Sequence, residues 1–403
     1  MRNYRLAGSQ LAAVAVLSGV LTICAPSAAS ETPSTGATVR SVAESQFALR
    51  SFASMLIVVL VDGEAVATLA LGEAMPGVLL GIDDHFRNGG VALTYVAALA
   101  LRLAEEGRID LDAPIARWLP DLPFAEDATI RMLLNMTAGY PDHVAQHDQF
   151  IGPFLANPFR QWTSEEMIAI SIGADRWFAP GENWDYSHAG YVIAGRVLEQ
   201  ATGTSLAELM QEYIIVPLAL SGTQGFDTPQ IPGPVVHSYT AERGVWEDAT
   251  FWNPSWTLPQ GAVQVTTIAD MATSFDAIAG HDGFLSPQAR AEMIGPGLVG
   301  FGTPLAGCPS CRTLTHRSGY GLGVVLQQDW VFQTPSFAGF ASSVGTLPDG
   351  ASEAGRITIA VAGTFKLAAH ADWQGSLANW SDETVRLIGA ELAPDNPPAI
   401  RPR

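Results

Sequence analysis

Two apolar runs, Met55–Val61 and Glu64–Leu71, meet at Asp62-Gly63. Asp-Gly between such runs is a strong hairpin signal, because both residues tolerate the positive φ that a tight, right-twisted turn demands. The chain therefore opens on an antiparallel strand pair, which must be covered by further structure to be stable. Strand-like runs return only toward the other end, at Gly321–Leu326, Val331–Thr334, Phe340–Leu347 and Ile357–Ala362. Between them the spacing turns helical. Val91–Glu106 is apolar almost all round and closes on Gly107, a buried helix with a glycine C-cap. Residues 163–173 and 189–216 are also helical, the second following Pro180-Gly181-Glu182-Asn183. Thr266–Met271 reads as a capped helix start, and a last helix spans 382–392. Strands at both ends with helices between them predict an α+β domain whose terminal segments share one antiparallel sheet.

The start of the chain reads differently. Arg2 and Arg5 precede an apolar run, Leu11–Ile23, and then the small residues Ser27-Ala28-Ala29-Ser30. This is the pattern of a secretory signal peptide cut near Ala29 or Ser30, and the run is short for a bilayer span. A lipid anchor at Cys24 is disfavoured because Ile23 stands where such sites want a small residue. The expected organisation is a signal peptide over 1–29, a flexible Ser/Thr/Ala/Gly leader over 30–45, one domain over 46–392 and a tail over 393–403. The net charge of −19 becomes −21 once Arg2 and Arg5 are lost. So acidic a chain repels nucleic acid and anionic membrane surfaces, and both are excluded as partners. The expected location is periplasmic or secreted, with no stable membrane span after signal removal.

Of the three cysteines, Cys24 leaves with the signal peptide. Cys308 and Cys311 remain, with two residues between them, among Gly307, Pro309 and Ser310. A redox pair would open a helix after a strand, and a zinc site would need ligands beyond His316. In an oxidising compartment the pair reads as a structural disulfide.

Several stretches then stand in a telling order: Asp84-His85-Phe86-Arg87-Asn88-Gly89-Gly90, Leu103–Asp112, Trp118-Leu119-Pro120, Ile130–Gly139, Phe178-Ala179-Pro180-Gly181, Tyr186–Tyr191 and Pro217–Leu220. Over about residues 46–390 the chain thereby resembles the penicillin-recognising serine hydrolases, a family of class C β-lactamases, D-alanyl-D-alanine carboxypeptidases and related esterases. The resemblance implies a β-lactamase/transpeptidase-like fold: an antiparallel sheet flanked by helices, a mainly helical lobe and a ligand cleft between them. It also implies a mechanism. A serine at the start of a buried helix attacks an amide or ester carbonyl, and a lysine at i+3 on the same face helps remove its proton. A tyrosine on a second loop relays protons, and a short strand motif holds the substrate carboxylate.

This chain departs from the pattern at each motif. Aligned on Phe86-Arg87, the serine position holds Gly90 and the lysine position Leu93. Lys366 is the sole lysine, and Gly363 stands three residues before it, so no Ser-x-x-Lys exists. There is no Gly-x-Ser-x-Gly elbow and no His-Glu-x-x-His helix. Tyr186 stands at the tyrosine position, but His188 replaces the usual asparagine. The third motif aligns with Gln333-Thr334-Pro335, where Pro335 removes a backbone donor from the strand edge. The family's two oxyanion amides would be the N–H groups of Gly90 and Ser336, and backbone donors survive side-chain changes.

The expected function is an exported protein that binds a peptide-like or acyl ligand in the inherited cleft, without serine acyl-enzyme chemistry. Gly90, Leu93, Gln333, Thr334 and Ser336 are its candidate ligand-binding residues. An alternative is an active peptidase, amidohydrolase or esterase with another nucleophile (Thr94, Ser187 or Ser336) or with a water activated by His188. Tyr186 and His188 are then its catalytic candidates, and peptidases for unusual peptides, such as microcystinase B, are a parallel within the family. A second alternative is a structural, partner-binding module. Asp142, His143, His147 and Asp148 in the loop 139–150 have metal-ligand chemistry, but a solvated polar loop reads the same way, and no metal or other cofactor is expected. Trp162, Trp177, Trp184, Trp252 and Trp256 fall in regions that border the cleft in relatives, where they would stack on a large ligand or simply pack.

Overall fold

The computed structural model of the chain describes residues 34–225, 228–262, 264–295, 297–370 and 378–400. The signal-peptide reading, over 1–29, lies outside the described residues. From Ser34 onward the chain forms one compact unit.

Its frame is an antiparallel sheet. The first strands are β1 (Phe52–Val61), β2 (Glu64–Met75) and β3 (Val78–Leu79). Short strands follow: β4 (Phe86–Arg87), β5 (Gln224–Gly225), β6 (Tyr239–Thr240), β7 (Glu247–Asp248) and β8 (Gln264–Thr266). The closing set is β9 (Gly319–Tyr320), β10 (Val325–Gln327), β11 (Trp330–Gln333), β12 (Ser336–Phe337), β13 (Phe340–Leu347) and β14 (Ile357–Phe365). Among the described residues the main sheet runs β3-β2-β1-β14-β13-β11-β10-β9, with β12 on β13. The two ends of the chain thus meet in the middle, β1 against β14, with Ile57 opposite Val361. The β1–β2 turn uses Asp62 at φ 51° and Gly63 at φ 84°, the two positive values the Asp-Gly signal requires.

β1 is a continuous apolar run because it is buried on both faces. Met55, Ile57 and Val59 enter one core with Ile359 and Val361, whereas Leu56, Val58 and Leu60 enter a second with Ala360 and Ala362. The helices are α1 (Thr35–Leu49), α2 (Val91–Glu105), α3 (Ile130–Leu134), α4 (Gly152–Ala156) and α5 (Ser164–Ile172), then α6 (His188–Thr202), α7 (Leu206–Met210), α8 (Ile268–Phe275), α9 (Pro287–Ile294) and α10 (Trp380–Leu392). α1 and α10 cover the first core, while α2 and α8 cover the second and join it to the helical lobe. The expected α+β architecture is what the chain adopts.

Three expectations need correction. The stretch assigned to a flexible leader contains most of α1, capped by the Ser34 side chain, with Val39 and Ala43 fully buried. That one-residue-per-turn stripe is too sparse to stand out of a Ser/Thr/Ala-rich composition, and packing on the sheet decides the matter. The stretch 393–400 is not a loose tail. Trp330 Nε1 donates to the Asn396 carbonyl (2.8 Å) and Arg386 Nη1 to that of Ala399 (2.7 Å). The helix read across 189–216 breaks after Thr202, where Gly203 at φ 70° caps α6.

Arg386 locks α10 to the sheet. Its guanidinium, 1% exposed, pairs with Asp382 (3.0 Å), donates to Gln327 and lies 4.3 Å over the Phe332 ring. Removing one partner of a buried ion pair costs about 3–5 kcal/mol, because the other charge stays buried alone. Urea denaturation of Arg386→Ala is expected to show a loss of that size. The double variant Arg386→Met/Asp382→Leu is expected to lose less than half as much.

Candidate functional site

One cavity of about 290 Å³ gathers the residues singled out in the sequence: Gly90, Leu93, Tyr186, His188, Gln333, Thr334 and Ser336. Its floor is the start of α2. Gly90 is the N-cap, with φ −63° and ψ −6°, values any residue adopts. A Cβ added there would lie 3.5 Å from Gln333 Oε1, 3.6 Å from Pro335 Cβ and 3.7 Å from Leu93 Cδ1, ordinary contacts all. Nothing in the backbone or the packing demands glycine at 90. Gly89 is the opposite case: its φ is 51°, and a Cβ would meet Pro335 at 2.7 Å. Leu93, 1% exposed, fills the lysine position with apolar atoms.

The third motif forms the facing wall. Gln333 closes β11, and its Nε2 donates to the Gly323 carbonyl (2.6 Å). The Pro335 carbonyl accepts from Ser342 N (3.0 Å) and Asn379 Nδ2 (3.1 Å), so the turn between β11 and β12 is held although proline donates nothing. Two other hydroxyls proposed as nucleophiles are otherwise engaged. Thr94 Oγ1 donates to the Gly323 carbonyl (2.7 Å), and Ser187 caps α6 by accepting from Gly190 N (3.2 Å).

The second motif sits at the start of α6. His188 Nδ1 is 3.1 Å from Asp142 Oδ2, and the His188 backbone N–H donates to Asp142 Oδ1 (3.2 Å). Burial would raise the Asp142 pKa, but His188, His143 and the Val144 amide outweigh it and hold the carboxyl below its ordinary value. A carboxylate at Nδ1 assigns the proton to that nitrogen, leaving Nε2 as the basic one. Tyr186 packs edge-on against His188, ring centroids 5.0 Å apart. Burial first, and then the Asp142 charge, push the Tyr186 hydroxyl pKa up, so it is a neutral phenol able to donate.

The disulfide loop supports this motif from behind. Cys308 and Cys311 are bonded to each other. Between them Ser310 accepts the Tyr186 N–H (3.0 Å) and donates to Asp185, whose pKa burial raises. Asn183 Oδ1 accepts Thr303 N (2.8 Å), adding a second tie between the same segments. Sequence reasoning named Ser310 only as a loop residue between the cysteines, with no role toward Tyr186 or Asp185. It placed Asp142 in a polar loop with metal-ligand chemistry but no metal expected, and did not foresee its pairing with His188.

The loop 139–150 does not assemble a metal site from its described side chains. His143 is fully buried with Nε2 2.9 Å from the Trp256 carbonyl, Asp148 is exposed, and the His147 side chain lies outside the described set. Among the described residues, the three-ligand grouping with metal-like spacing is Asp185, Cys308 and Cys311, in which the sulfurs are already joined. Of the five tryptophans only Trp256 reaches the cavity. Trp162 packs on Phe150, Trp252 on Phe154 and Trp184 on Tyr320, while Trp177 is largely exposed.

His143 makes acid stability a readout of this region. Desolvation lowers its pKa to about 4. At pH above the unfolded value near 6.5 the ring is neutral in both states and has no effect. Below it the unfolded chain binds a proton that the native state refuses until about pH 4, so stability falls across that window. The loss attributable to His143 is expected to reach about 3 kcal/mol at the acid end. Urea titrations from pH 7 to 4 are expected to show a shallower decline in His143→Gln, and an unchanged decline would remove this assignment.

With the geometry in hand, known proteins supply the lineage. Residues 39–370 match the family model described as Beta-lactamase. Penicillin-binding protein 4* of Bacillus subtilis is 26% identical over 268 residues, covering 60% of this chain and 57% of that protein. The chain thus matches little more than half of that relative's length. Esterase EstB of Burkholderia gladioli is 28% identical over 301 residues, 66% of this chain and 71% of the esterase. Among solved structures, a D-stereospecific amidohydrolase from Streptomyces superposes with a TM-score of 0.68 at 25% identity, covering 88% of this chain and 98% of its own. The D-amino acid amidase of Ochrobactrum anthropi, solved with D-phenylalanine, shares the fold at a TM-score of 0.70 and 22% identity, with the same coverage. No helix among the described residues is long and apolar enough to cross a membrane. The chain belongs to the β-lactamase family of penicillin-binding proteins, esterases and amidases.

Proposed function

We propose that this protein is exported to the periplasm or medium, where it binds an uncharged, acyl or peptide-like ligand non-covalently in the cavity at the start of α2. The observation that carries the reading is Gly90 with Leu93: at the attacking position there is no hydroxyl, and at the proton-abstracting position no amine. Ligand charge follows from the walls. None of the lining residues is Lys, Arg, Asp or Glu, and Trp256, Tyr186, Tyr320 and Phe337 present aromatic surface. A carboxylate placed there would lose its hydration with no lysine or arginine to pair with, whereas a neutral apolar group gains from burial. The Gly90 N–H has no acceptor among the described residues and is available to a ligand carbonyl.

Fluorescent penicillin or a fluorophosphonate is expected to leave the protein unlabelled by intact-mass measurement. A stoichiometric adduct at residue 90, or elsewhere in the cavity, would end the reading. In the same assay Gly90→Ser/Leu93→Lys is expected to gain labelling that neither single variant shows, since the space at 90 admits a side chain.

A second reading is favoured by one specific observation, the Asp142–His188 pair. A histidine oriented by a carboxylate through Nδ1, with Nε2 basic beside a cavity, is the arrangement of a general base for water. On that reading Tyr186 donates to the leaving group and the Gly90 amide receives the developing oxyanion. Turnover of p-nitrophenyl esters by the wild type, falling at least about 100-fold in His188→Ala, would establish it. Absence of turnover leaves the binding reading in place.

A further inference from the structure

Gln333 gives the wall of the ligand cavity a fixed hydrogen-bonding sense. It ends β11, is 5% exposed and lines the cavity together with Gly90. Its Nε2 lies 2.6 Å from the Gly323 carbonyl. A carbonyl oxygen accepts only from a donor, so the side-chain nitrogen must be the atom on that side and the oxygen the one turned away from it. Thr94 Oγ1 donates to the same carbonyl (2.7 Å), which is therefore held from two directions. The Gln333 amide cannot reverse without setting its own oxygen against that of Gly323.

The oxygen is on the Gly90 side. Where a Cβ on residue 90 would stand, the nearest atom beyond the glycine and its chain neighbours is Gln333 Oε1, at 3.5 Å. With glycine at 90, the space in front of that oxygen is left to a ligand. An amide oxygen has two lone pairs and no proton, so it takes a ligand N–H or O–H and repels an ester, ketone or carboxylate oxygen. The strand motif that holds a carboxylate in the family thus presents an acceptor here, and no lysine or arginine in the lining offsets it. The carbonyl of a ligand amide has its own complements, because Gly90 brings a backbone N–H and Tyr186 a neutral phenol to the same cavity.

We propose that Gln333 makes the cavity selective for carboxamides: a ligand amide N–H donates to Gln333 Oε1, and ketones, esters and free carboxylates of the same shape are rejected. The inference rests on the binding reading above and narrows its ligand from acyl compounds in general to amides that keep an N–H. Burial gives the selection its force. A ligand that sets a methyl group or an oxygen against so enclosed an acceptor removes water from it and returns no hydrogen bond.

Benzamide, acetophenone and benzoate share one skeleton and differ at a single group, so their dissociation constants for the full chain, measured by titration calorimetry, test this. The wild type is expected to bind benzamide at least about tenfold more tightly than acetophenone, in which a methyl group replaces the amide nitrogen. Benzoate is expected to bind no better than acetophenone. Gln333→Leu removes the oxygen and leaves the Gly323 carbonyl its Thr94 donor. In that variant the preference for benzamide over acetophenone is expected to fall below about threefold. Wild-type crystals soaked with benzamide are expected to show its nitrogen within hydrogen-bond distance of Gln333 Oε1, and this arm decides the matter even if Gln333→Leu fails to fold. Equal wild-type affinities for benzamide and acetophenone, or benzamide seated in the cavity with its nitrogen away from Gln333, would overturn the selectivity and leave the binding reading standing. If none of the three probes binds, the binding reading falls and the selectivity with it.

Discussion

The pairing of β1 with β14 is the constraint on which this molecule depends. It joins Ser54 to Thr364, hydroxyl to hydroxyl at 2.7 Å, across 310 residues of sequence. Closing so long a loop costs configurational entropy, although that cost grows only with the logarithm of length. It is offset by the burial of both faces of β1, β13 and β14. Once the ends are fixed side by side, all that lies between must leave the sheet and return to it, and the helical lobe is that excursion. The site lies where the excursion leaves and rejoins: Gly90 just after the outgoing short strand β4, and Gln333 to Ser336 on the returning strands.

That placement makes the site a meeting of three distant segments, and each is held from behind by contacts that do not line the cavity. The start of α2 is set by β4 against β8. The turn after Gln333 is held through Asn379, the N-cap of α10. The Tyr186 segment is held by Ser310, presented from the short disulfide loop, while Asp142 pins the first turn of α6 through both the backbone and the ring of His188. The disulfide is structural in a specific sense: it fixes a serine whose oxygen accepts from the backbone of a cavity residue. An aromatic that must present a hydroxyl in one direction needs such support, because packing alone leaves the backbone free to shift.

Much of this architecture is legible in the sequence, and the reasons differ by element. The Asp62-Gly63 hairpin and the runs Phe340–Leu347 and Ile357–Ala362 carry local signals, since a strand buried on both faces must be apolar throughout. The gathering of Gly90, Tyr186, His188 and Gln333 is legible only through resemblance, for no periodicity brings residues so far apart together. What stays hidden is pairwise. The bond between Asp142 and His188 spans 46 residues, and that between Ser310 and the Tyr186 backbone spans 124. α1 is hidden for another reason, because a stripe of Val39 and Ala43 becomes a helix only when a sheet is present to receive it.

The glycine at 90 bears on how scaffold and chemistry are separated. Had the position carried a positive φ, or had neighbours filled the space of a Cβ, loss of the nucleophile would follow from the fold. Neither holds, since φ is −63° and every neighbour of the added carbon lies 3.5 Å away or more. The adjoining Gly89, by contrast, is fixed by both its φ and Pro335. The turn that aims α2 at the cleft is therefore maintained by one glycine, while the chemistry that a side chain at the next residue would supply is free to vary. The Gly90 backbone donor does not depend on a side chain, and the proposed reading assigns it to a ligand carbonyl. Residue 90 itself offers no side-chain nucleophile, so on the water-based reading proposed above the attacking group is a water beside His188, which lines the same cavity.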